Sequence, residues 1–256
     1  MSILHQDIYF WLATLGAFLV GLSKGGLPAI GMLAVPILSL LMSPMKATVM
    51  LLPIYIISDG VGVWLYRHDF SSTHLRILAP AGLVGVGFGW ATSSWMSEQV
   101  IVFMIGLMGV AFCLHVWLRK SQNDPIQSVQ RGKGRFWGAV SGFSSFISHA
   151  GAPPFQIYML PQKLRKSQFA GTATLFFAMI NLAKVLPYQI LRPYTIESLY
   201  EVLFLVPAAL VGTVAGAYLT RRIADRWFFL MVQLSLFGVS LKLLWNALGS
   251  YWLSSR

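Results

Sequence analysis

Two short polar stretches interrupt long apolar runs, and both contain residue types that bind anions. The first is Ser23-Lys24-Gly25-Gly26, and the second is Ser148-His149-Ala150-Gly151. Proline follows each stretch, as Pro28 in one case and Pro153-Pro154 in the other, and proline suits the first turn of a helix because it has no N–H. We therefore predict that a half-helix begins at each stretch, with free N–H groups and a positive dipole end that attract an anion.

Lys24 adds a full positive charge to the first stretch. A lysine in the middle of a membrane costs about 2.5–3.5 kcal/mol on insertion scales, so a partner or a ligand must offset it. The alternatives are that Lys24 lies at an interface, or that it donates to the C-terminal carbonyls of segment 8–22. His149 is a weaker signal, because an intramembrane histidine also serves as a hydrogen-bonded packing residue.

Three polar side chains lie in apolar segments that should reach the same depth: Asp59, Asn181 and Lys184. Asp59 is predicted to carry a proton or coupling ion, to pair with Lys24, or both. Lys184 either contacts the anion or extends its ammonium group outward to the membrane surface. With the two polar stretches, Asn181 and Lys184 complete the predicted substrate site, and Asp59 is the predicted proton-coupling residue.

The composition is that of a polytopic helical membrane protein. Hydrophobic residues make up 56% of the chain and charged residues 11%, against about 25% charged in a soluble domain. The single cysteine, Cys113, excludes an internal disulfide and a multi-cysteine metal site, and we predict neither metal nor cofactor. The net charge of +11 does not indicate a nucleic-acid partner here, because Lys and Arg mark the cytoplasmic loops of membrane proteins.

The two halves of the chain resemble each other. Five apolar segments (8–22, 27–42, 47–66, 75–95 and 98–119) precede a polar stretch, and five follow it (136–147, 152–162, 168–190, 199–220 and 227–248). Ser23, Gly26, Pro28 and Pro36 match Ser148, Gly151, Pro153 and Pro161 at an offset of 125. We predict a duplication, with a first membrane repeat at 1–120, a cytoplasmic linker loop at 121–135 and a second repeat at 136–256. The glycine rows Gly82/Gly85/Gly87/Gly89 and Gly212/Gly216 are predicted to be helix-packing faces.

The distribution of basic residues predicts the topology. If the first two segments of each half form a hairpin, thirteen Lys and Arg residues share one side of the membrane and three the other; if they form one broken span, the division is nine to seven. The positive-inside rule favours the hairpin. The predicted fold is therefore two inverted-topology repeats, each a hairpin of two short helices plus three transmembrane helices, with both termini outside the cytoplasm. The count leaves open whether the hairpins are re-entrant or fully spanning.

The two polar stretches in their context, "GLSKGGLPAIGMLAVPIL" and "GFSSFISHAGAPPFQIYML", resemble the turns of the TauE/SafE (TSUP) family of membrane transporters. The resemblance covers essentially the whole chain. It implies export of sulfite or a small organosulfonate across the inner membrane of a bacterium, driven by the proton gradient. The second stretch has no lysine, so the two are not expected to contribute equally.

The functional prediction is a secondary transporter, not an enzyme. A small sulfur oxyanion would bind near the membrane midplane between the two polar stretches, and movement of one repeat against the other would alternate access. The expected partners are this anion, protons as coupling ion and the lipid bilayer. One alternative is an uncoupled anion channel. Another is an intramembrane enzyme using Ser148 and His149, which have no acidic residue nearby in sequence to orient the base.

Overall fold

The computed structural model describes residues 3–38, 42, 44–93, 95, 98–118, 129–191 and 193–254. Every regular element within these residues is helical. The α-helices are α1 (Ile3–Lys24), α2 (Ala34–Leu38), α3 (Pro44–Tyr66), α4 (Ser72–Thr92), α5 (Glu98–Leu118), α6 (Arg131–Ser148), α7 (Ala152–Met159), α8 (Lys166–Leu191), α9 (Ile196–Arg222) and α10 (Asp225–Ser254). A 3-10 segment, Ile30–Leu33, precedes α2, and another, Leu160–Gln162, follows α7.

Five of these helices are long and apolar enough to cross a bilayer. Their candidate spans are Lys46–Tyr66, Ser72–Thr92, Lys166–Leu191, Leu199–Arg222 and Asp225–Gly249. Each has at least 21 residues, or about 31 Å of helix, which matches a hydrocarbon core of roughly 30 Å. The prediction of an all-α, multi-pass membrane protein is confirmed. The inverted orientation of the two halves and the side on which the termini lie remain predictions.

One helix boundary differs from the sequence-based expectation. Helix α6 begins at Arg131, inside the stretch predicted as a linker loop, while residues 121–128 of that stretch lie outside the described residues. Packing explains the longer helix. A Cβ on Gly134 would lie 2.7 Å from Cγ2 of Ile77 and 2.8 Å from the hydroxyl oxygen of Tyr158, so this first turn packs tightly against α4 and α7.

The chain divides into two compact units, and each contains helices from both halves of the sequence. The first unit comprises Met1–Ser71 and Ser167–Ala224, and the second comprises Ser72–Lys166 and Asp225–Arg256. In the first unit α1 packs along α9. In the second, α6 packs along α4, and α10 packs along α5. The predicted repeats are two consecutive stretches of the sequence. Each compact unit instead combines helices from both stretches.

Glycine rows bring the paired helices close together. In the first unit, a Cβ on Gly216 of α9 would lie 2.7 Å from the carbonyl oxygen of Leu22. In the second unit, a Cβ on Gly85 of α4 would meet the carbonyl oxygen of Ala139. These glycines are packing positions, as predicted. Gly87 is different, because a Cβ there would have no neighbour within 4 Å.

The second arm of the second hairpin is too short to cross a membrane. Helix α7 has 8 residues and the 3-10 segment after it has 3, which together span about 18 Å. The arm ends beside Lys163 and Arg165, basic residues of the kind that mark a membrane surface. The length of this arm is well short of a hydrocarbon core of about 30 Å, and the re-entrant form of the hairpin remains a prediction.

Candidate substrate site

The first tip (residues 23–26) is the carbonyl end of a helix. Lys24 is the last residue of α1. The N–H of Gly25 donates to the carbonyl of Gly21 at 3.0 Å and to that of Leu22 at 3.1 Å, and the N–H of Gly26 donates to Ser23 at 3.4 Å. Both glycine N–H groups are therefore already hydrogen bonded to the end of α1. This differs from the expectation that they are free to bind an anion.

The expected half-helix begins a few residues after this tip and not at the tip itself. Pro28 lies in a turn, and the helical run starts at Ile30 as a 3-10 segment (Ile30–Leu33) that continues into α2. The helix terminus at the tip is thus the negative end of the α1 dipole, and Lys24 in the last turn complements it. The positive charge available to a ligand here is the lysine side chain, not the backbone.

The two glycines of the first tip allow close packing. The carbonyl oxygen of Gly25 accepts hydrogen bonds from the hydroxyl of Tyr66 at 2.6 Å and from that of Thr220 at 3.0 Å. Gly26 has a φ of 126°, a value that residues with a side chain rarely adopt. A Cβ on Gly26 would lie 3.0 Å from Cβ of Ala170. These contacts fix the backbone from which Lys24 projects.

Lys24 forms a buried ion pair with Asp59. The Nζ of Lys24 lies 2.8 Å from Oδ1 of Asp59, and each residue is 4% exposed. Oδ2 of Asp59 accepts a hydrogen bond of 2.7 Å from Nδ2 of Asn181. The ring centroids of Tyr55 and Phe177 lie 4.9 Å and 5.8 Å from the same Nζ, within the range of a cation–π contact. The pairing alternative for Asp59 is therefore what the structure shows.

Lys184 is fully buried in the same unit, so its side chain does not extend to the surface. Its charge interacts favourably with that of Asp59 and unfavourably with that of Lys24. The centroid of the Tyr188 ring lies 6.0 Å from its Nζ. This cluster contains two basic side chains, Lys24 and Lys184, and one acidic side chain, Asp59. A buried excess of basic over acidic side chains favours the binding of an anion.

The cluster follows from helix periodicity. Tyr55 and Asp59 are four residues apart on α3, and Asn181 and Lys184 are three apart on α8, so each pair shares one helix face. Asp59, Asn181 and Lys184 were predicted from the sequence, whereas Tyr55 and Phe177 were not. The i, i+4 spacing to Asp59 was a signal for Tyr55. Phe177 had no such signal, because phenylalanine is common in apolar segments.

The second tip (residues 148–151) lies in the second unit and has the expected helix start. His149 ends α6 with a left-handed backbone, at φ 53°, and α7 begins at Ala152 with prolines in its first turn. The prolines limit the donors, since Pro153 and Pro154 have no N–H. The carbonyl oxygen of Gly151 accepts a hydrogen bond of 2.7 Å from the hydroxyl of Ser141, which ties the tip to α6.

The hydroxyl of Ser148 is buried and has no hydrogen-bond partner among the described residues. It is therefore not bonded to His149, as a nucleophile activated by that base would be. Nor does the part of the chain that the structure describes contain a group of three His, Cys, Asp or Glu side chains able to hold a metal ion. The arrangement at this tip is one of hydrogen-bonding groups near a helix N-terminus.

The chain matches the model of one protein family, "Sulfite exporter TauE/SafE", over residues 13–243. The protein belongs to the TauE/SafE family. This confirms the resemblance of the two polar stretches, and it agrees with a membrane transporter for a small anionic sulfur compound. Searches of curated proteins and of solved structures gave no match. Within this TauE/SafE protein, the structure joins Lys24, Asp59, Asn181 and Lys184 in the first unit and places residues 148–151 in the second.

Proposed function

We propose that the protein is a secondary transporter of the bacterial inner membrane that exports a small sulfur oxyanion, sulfite or a C2 organosulfonate. The observation that supports this is the buried cluster of Lys24, Asp59, Asn181 and Lys184, with a 2.8 Å ion pair at its centre. Lys24 and Lys184 attract the anion. Asn181 supplies a hydrogen-bond donor once it is released from Asp59.

The polar tips are proposed to have different parts in this function. In the first, Ser23, Gly25 and Gly26 shape the backbone that carries Lys24. In the second, Ser148, His149, Ala150 and Gly151 are proposed to contact the anion at the start of α7, where the helix dipole is positive. Alternation of access by movement between inverted repeats completes the proposed mechanism.

The ion pair determines how protons and anions are coupled. Asp59 is the counter-ion that Lys24 has when no substrate is bound, and Lys24 from α1 and Lys184 from α8 are the charges that act on it. Protonation of Asp59 removes its negative charge and leaves Lys24 to pair with the anion. Proton and anion therefore favour each other's binding, and by linkage each raises the affinity for the other by the same factor. We propose that they move together.

The charge of the anion, not the proton, gives this export its driving force. A dianion that moves with one proton carries a net charge of −1 out of a cell whose interior is negative. The membrane potential contributes about 2.3 kcal/mol per elementary charge for every 100 mV. The potential therefore drives the proposed movement and the proton gradient opposes it, which differs from the expectation that the proton gradient drives export.

The site is tested by sulfite uptake into inside-out vesicles, where export appears as accumulation in the lumen. We expect Lys24→Met/Asp59→Asn protein to insert normally, because it removes both partners of the ion pair, and to lose at least about 90% of transport, because the charge that holds the anion is gone. Phe88→Leu, at an exposed position on α4, is the matched control and should transport like the wild type. Full transport by the double variant would overturn the assignment of the cluster.

The coupling is tested in the same vesicles with gradients imposed one at a time. We expect a lumen-positive potential and a lumen-alkaline gradient each to stimulate uptake by the wild type. Asp59→Asn should keep the response to potential and lose the specific response to pH. Stimulation by a lumen-acid gradient would indicate exchange for protons instead. Identical pH responses in the wild type and Asp59→Asn would favour the uncoupled channel.

A further inference from the structure

Gln156 is a fully buried side chain whose polar atoms have no partner within the described ranges. It lies on α7, in the second unit, and is 0% exposed. Neither its Oε1 nor its Nε2 makes a hydrogen bond to another described residue. Burying an amide without hydrogen bonds is unfavourable, and such groups are rare in native proteins. Neither the predicted site nor the family match assigns Gln156 a role in substrate binding.

Gln156 and the second tip belong to the same hairpin. Gln156 lies four residues after Ala152, the first residue of α7, and long helical side chains tilt toward the N-terminus of their helix. The hydroxyl of Ser148, at the tip before α7, is also buried and without a partner among described residues.

The first hairpin has no counterpart of these two unpartnered groups. At the offset of 125 that relates the hairpins, Ser148 corresponds to Ser23 and Gln156 to Gly31. A Cβ on Gly31 would lie 2.6 Å from the hydroxyl oxygen of Ser23, so positions 23 and 31 are in direct contact. In that hairpin the space is filled by the serine itself, which donates to the carbonyl of Val20 at 2.6 Å. In the second hairpin a glutamine replaces the glycine, and both polar groups lack protein partners in the described part of the chain.

We infer that Gln156 and Ser148 form a hydrogen-bonding subsite for the transported oxyanion, and that this subsite selects oxyanions that carry a hydroxyl group. The inference rests on the proposed transport of a sulfur oxyanion. Nε2 of Gln156 and the Ser148 hydroxyl donate to oxyanion oxygens, whereas Oε1 of Gln156 can only accept. A ligand satisfies all three groups only if it offers acceptor oxygens and one O–H. Hydrogensulfite and hydroxyalkyl sulfonates meet that condition, and a sulfonate without a donor does not.

Two probes that differ by one hydroxyl test this selectivity: 2-hydroxyethanesulfonate and ethanesulfonate. Equilibrium binding of each is measured with the full-length protein in lipid nanodiscs. We expect the wild type to bind the hydroxylated probe about tenfold more tightly, the value of one good hydrogen bond to a buried polar group. In Gln156→Met, which keeps a long unbranched side chain without the amide, both probes should bind equally and about tenfold to a hundredfold more weakly than the hydroxylated probe binds the wild type.

A second readout separates binding from structure. Without ligand, the Tm of Gln156→Met should equal or exceed that of the wild type, since the variant no longer buries an unpaired amide. A lower Tm with an unchanged probe ratio would show that the amide has a structural role, and would overturn the subsite. Equal binding of the two probes by the wild type would also overturn the subsite. That result is expected if an ordered water alone satisfies Gln156.

Sulfite binding distinguishes failure of the subsite from failure of the proposed function. Suppose that the wild type binds sulfite, that Lys24→Met/Asp59→Asn loses this binding, and that Gln156→Met keeps it. In that case only the subsite is overturned. If the wild type binds neither sulfite nor either sulfonate, the proposed function and the subsite are overturned together. The expected result is that Lys24→Met/Asp59→Asn loses sulfite binding, whereas Gln156→Met binds sulfite more weakly than the wild type and has lost the preference for the hydroxylated probe.

Discussion

The two tips have similar sequences and opposite local structures. At the first, the carbonyl end of α1 is closed by its own hydrogen bonds, and the functional charge is a lysine paired with Asp59. At the second, α7 begins at Ala152 and buried polar groups lack protein partners among the described residues. The first tip is thus internally satisfied, whereas the second has unused hydrogen-bonding capacity. A shared pattern of serine, glycine and proline does not determine how the backbone amides are used.

The residue in the second place of each tip accounts for part of this difference. Lys24 continues α1 to its last turn, where a cation complements the dipole. His149 instead adopts the left-handed conformation that ends α6, so the chain turns at once into α7. The lysine has its counter-ion in its own unit, whereas the histidine ends α6 shortly before α7 begins. Substitutions at the two tips should therefore have unequal effects, and three experiments measure that inequality.

The largest effect is expected from Gly25→Val. A Cβ at this position would lie 2.5 Å from the backbone nitrogen of Ala217, and backbone atoms cannot rotate away as a side chain can. We expect a loss of at least about 3 kcal/mol of stability. It is detected as a smaller fraction of protein that remains monodisperse after heating in detergent. Gly238→Val is the control, because a Cβ there has no neighbour within 4 Å. Equal stability of the two variants would mean that the first tip is not tightly packed on α9.

A loss of comparable size is expected from breaking the ion pair on one side only. Lys24→Met leaves the carboxylate of Asp59 buried beside Asn181, which costs about 3–5 kcal/mol for an uncompensated buried charge. Lys24→Met/Asp59→Asn removes both charges and should recover most of that stability, while transport stays lost. The comparison is made with thermal unfolding followed by tryptophan fluorescence. If the double variant is no more stable than Lys24→Met, the two side chains are not energetically coupled.

The sequence was sufficient for the helical membrane fold. Around Lys24 it was sufficient for Asp59, Asn181 and Lys184, but not for Tyr55 and Phe177. Apolar segment length and the rarity of intramembrane charges carry that information, because both are enforced by the bilayer. The use of the tip backbone could not be predicted. Whether Gly25 donates to α1 or to an anion depends on which helix ends there, and Pro28 is compatible with a turn as well as a helix start. The start of α6 at Arg131 depended on the packing of Gly134, which is a tertiary contact.

The smallest effect, and the most direct comparison of the tips, comes from a matched pair of serine substitutions. Ser23→Ala removes a 2.6 Å hydrogen bond to the carbonyl of Val20 and should cost about 0.5–1.5 kcal/mol of stability. Ser148→Ala removes a buried hydroxyl that has no partner among the described residues, so stability should stay the same or rise. The same two variants should reverse their order in sulfite binding, with Ser148→Ala weaker than Ser23→Ala. Both measurements are made on one preparation of each variant in nanodiscs, by thermal unfolding and by equilibrium binding. If Ser148→Ala is the less stable of the two and binds sulfite normally, the second tip is as internally satisfied as the first, and its hydroxyl is a structural group.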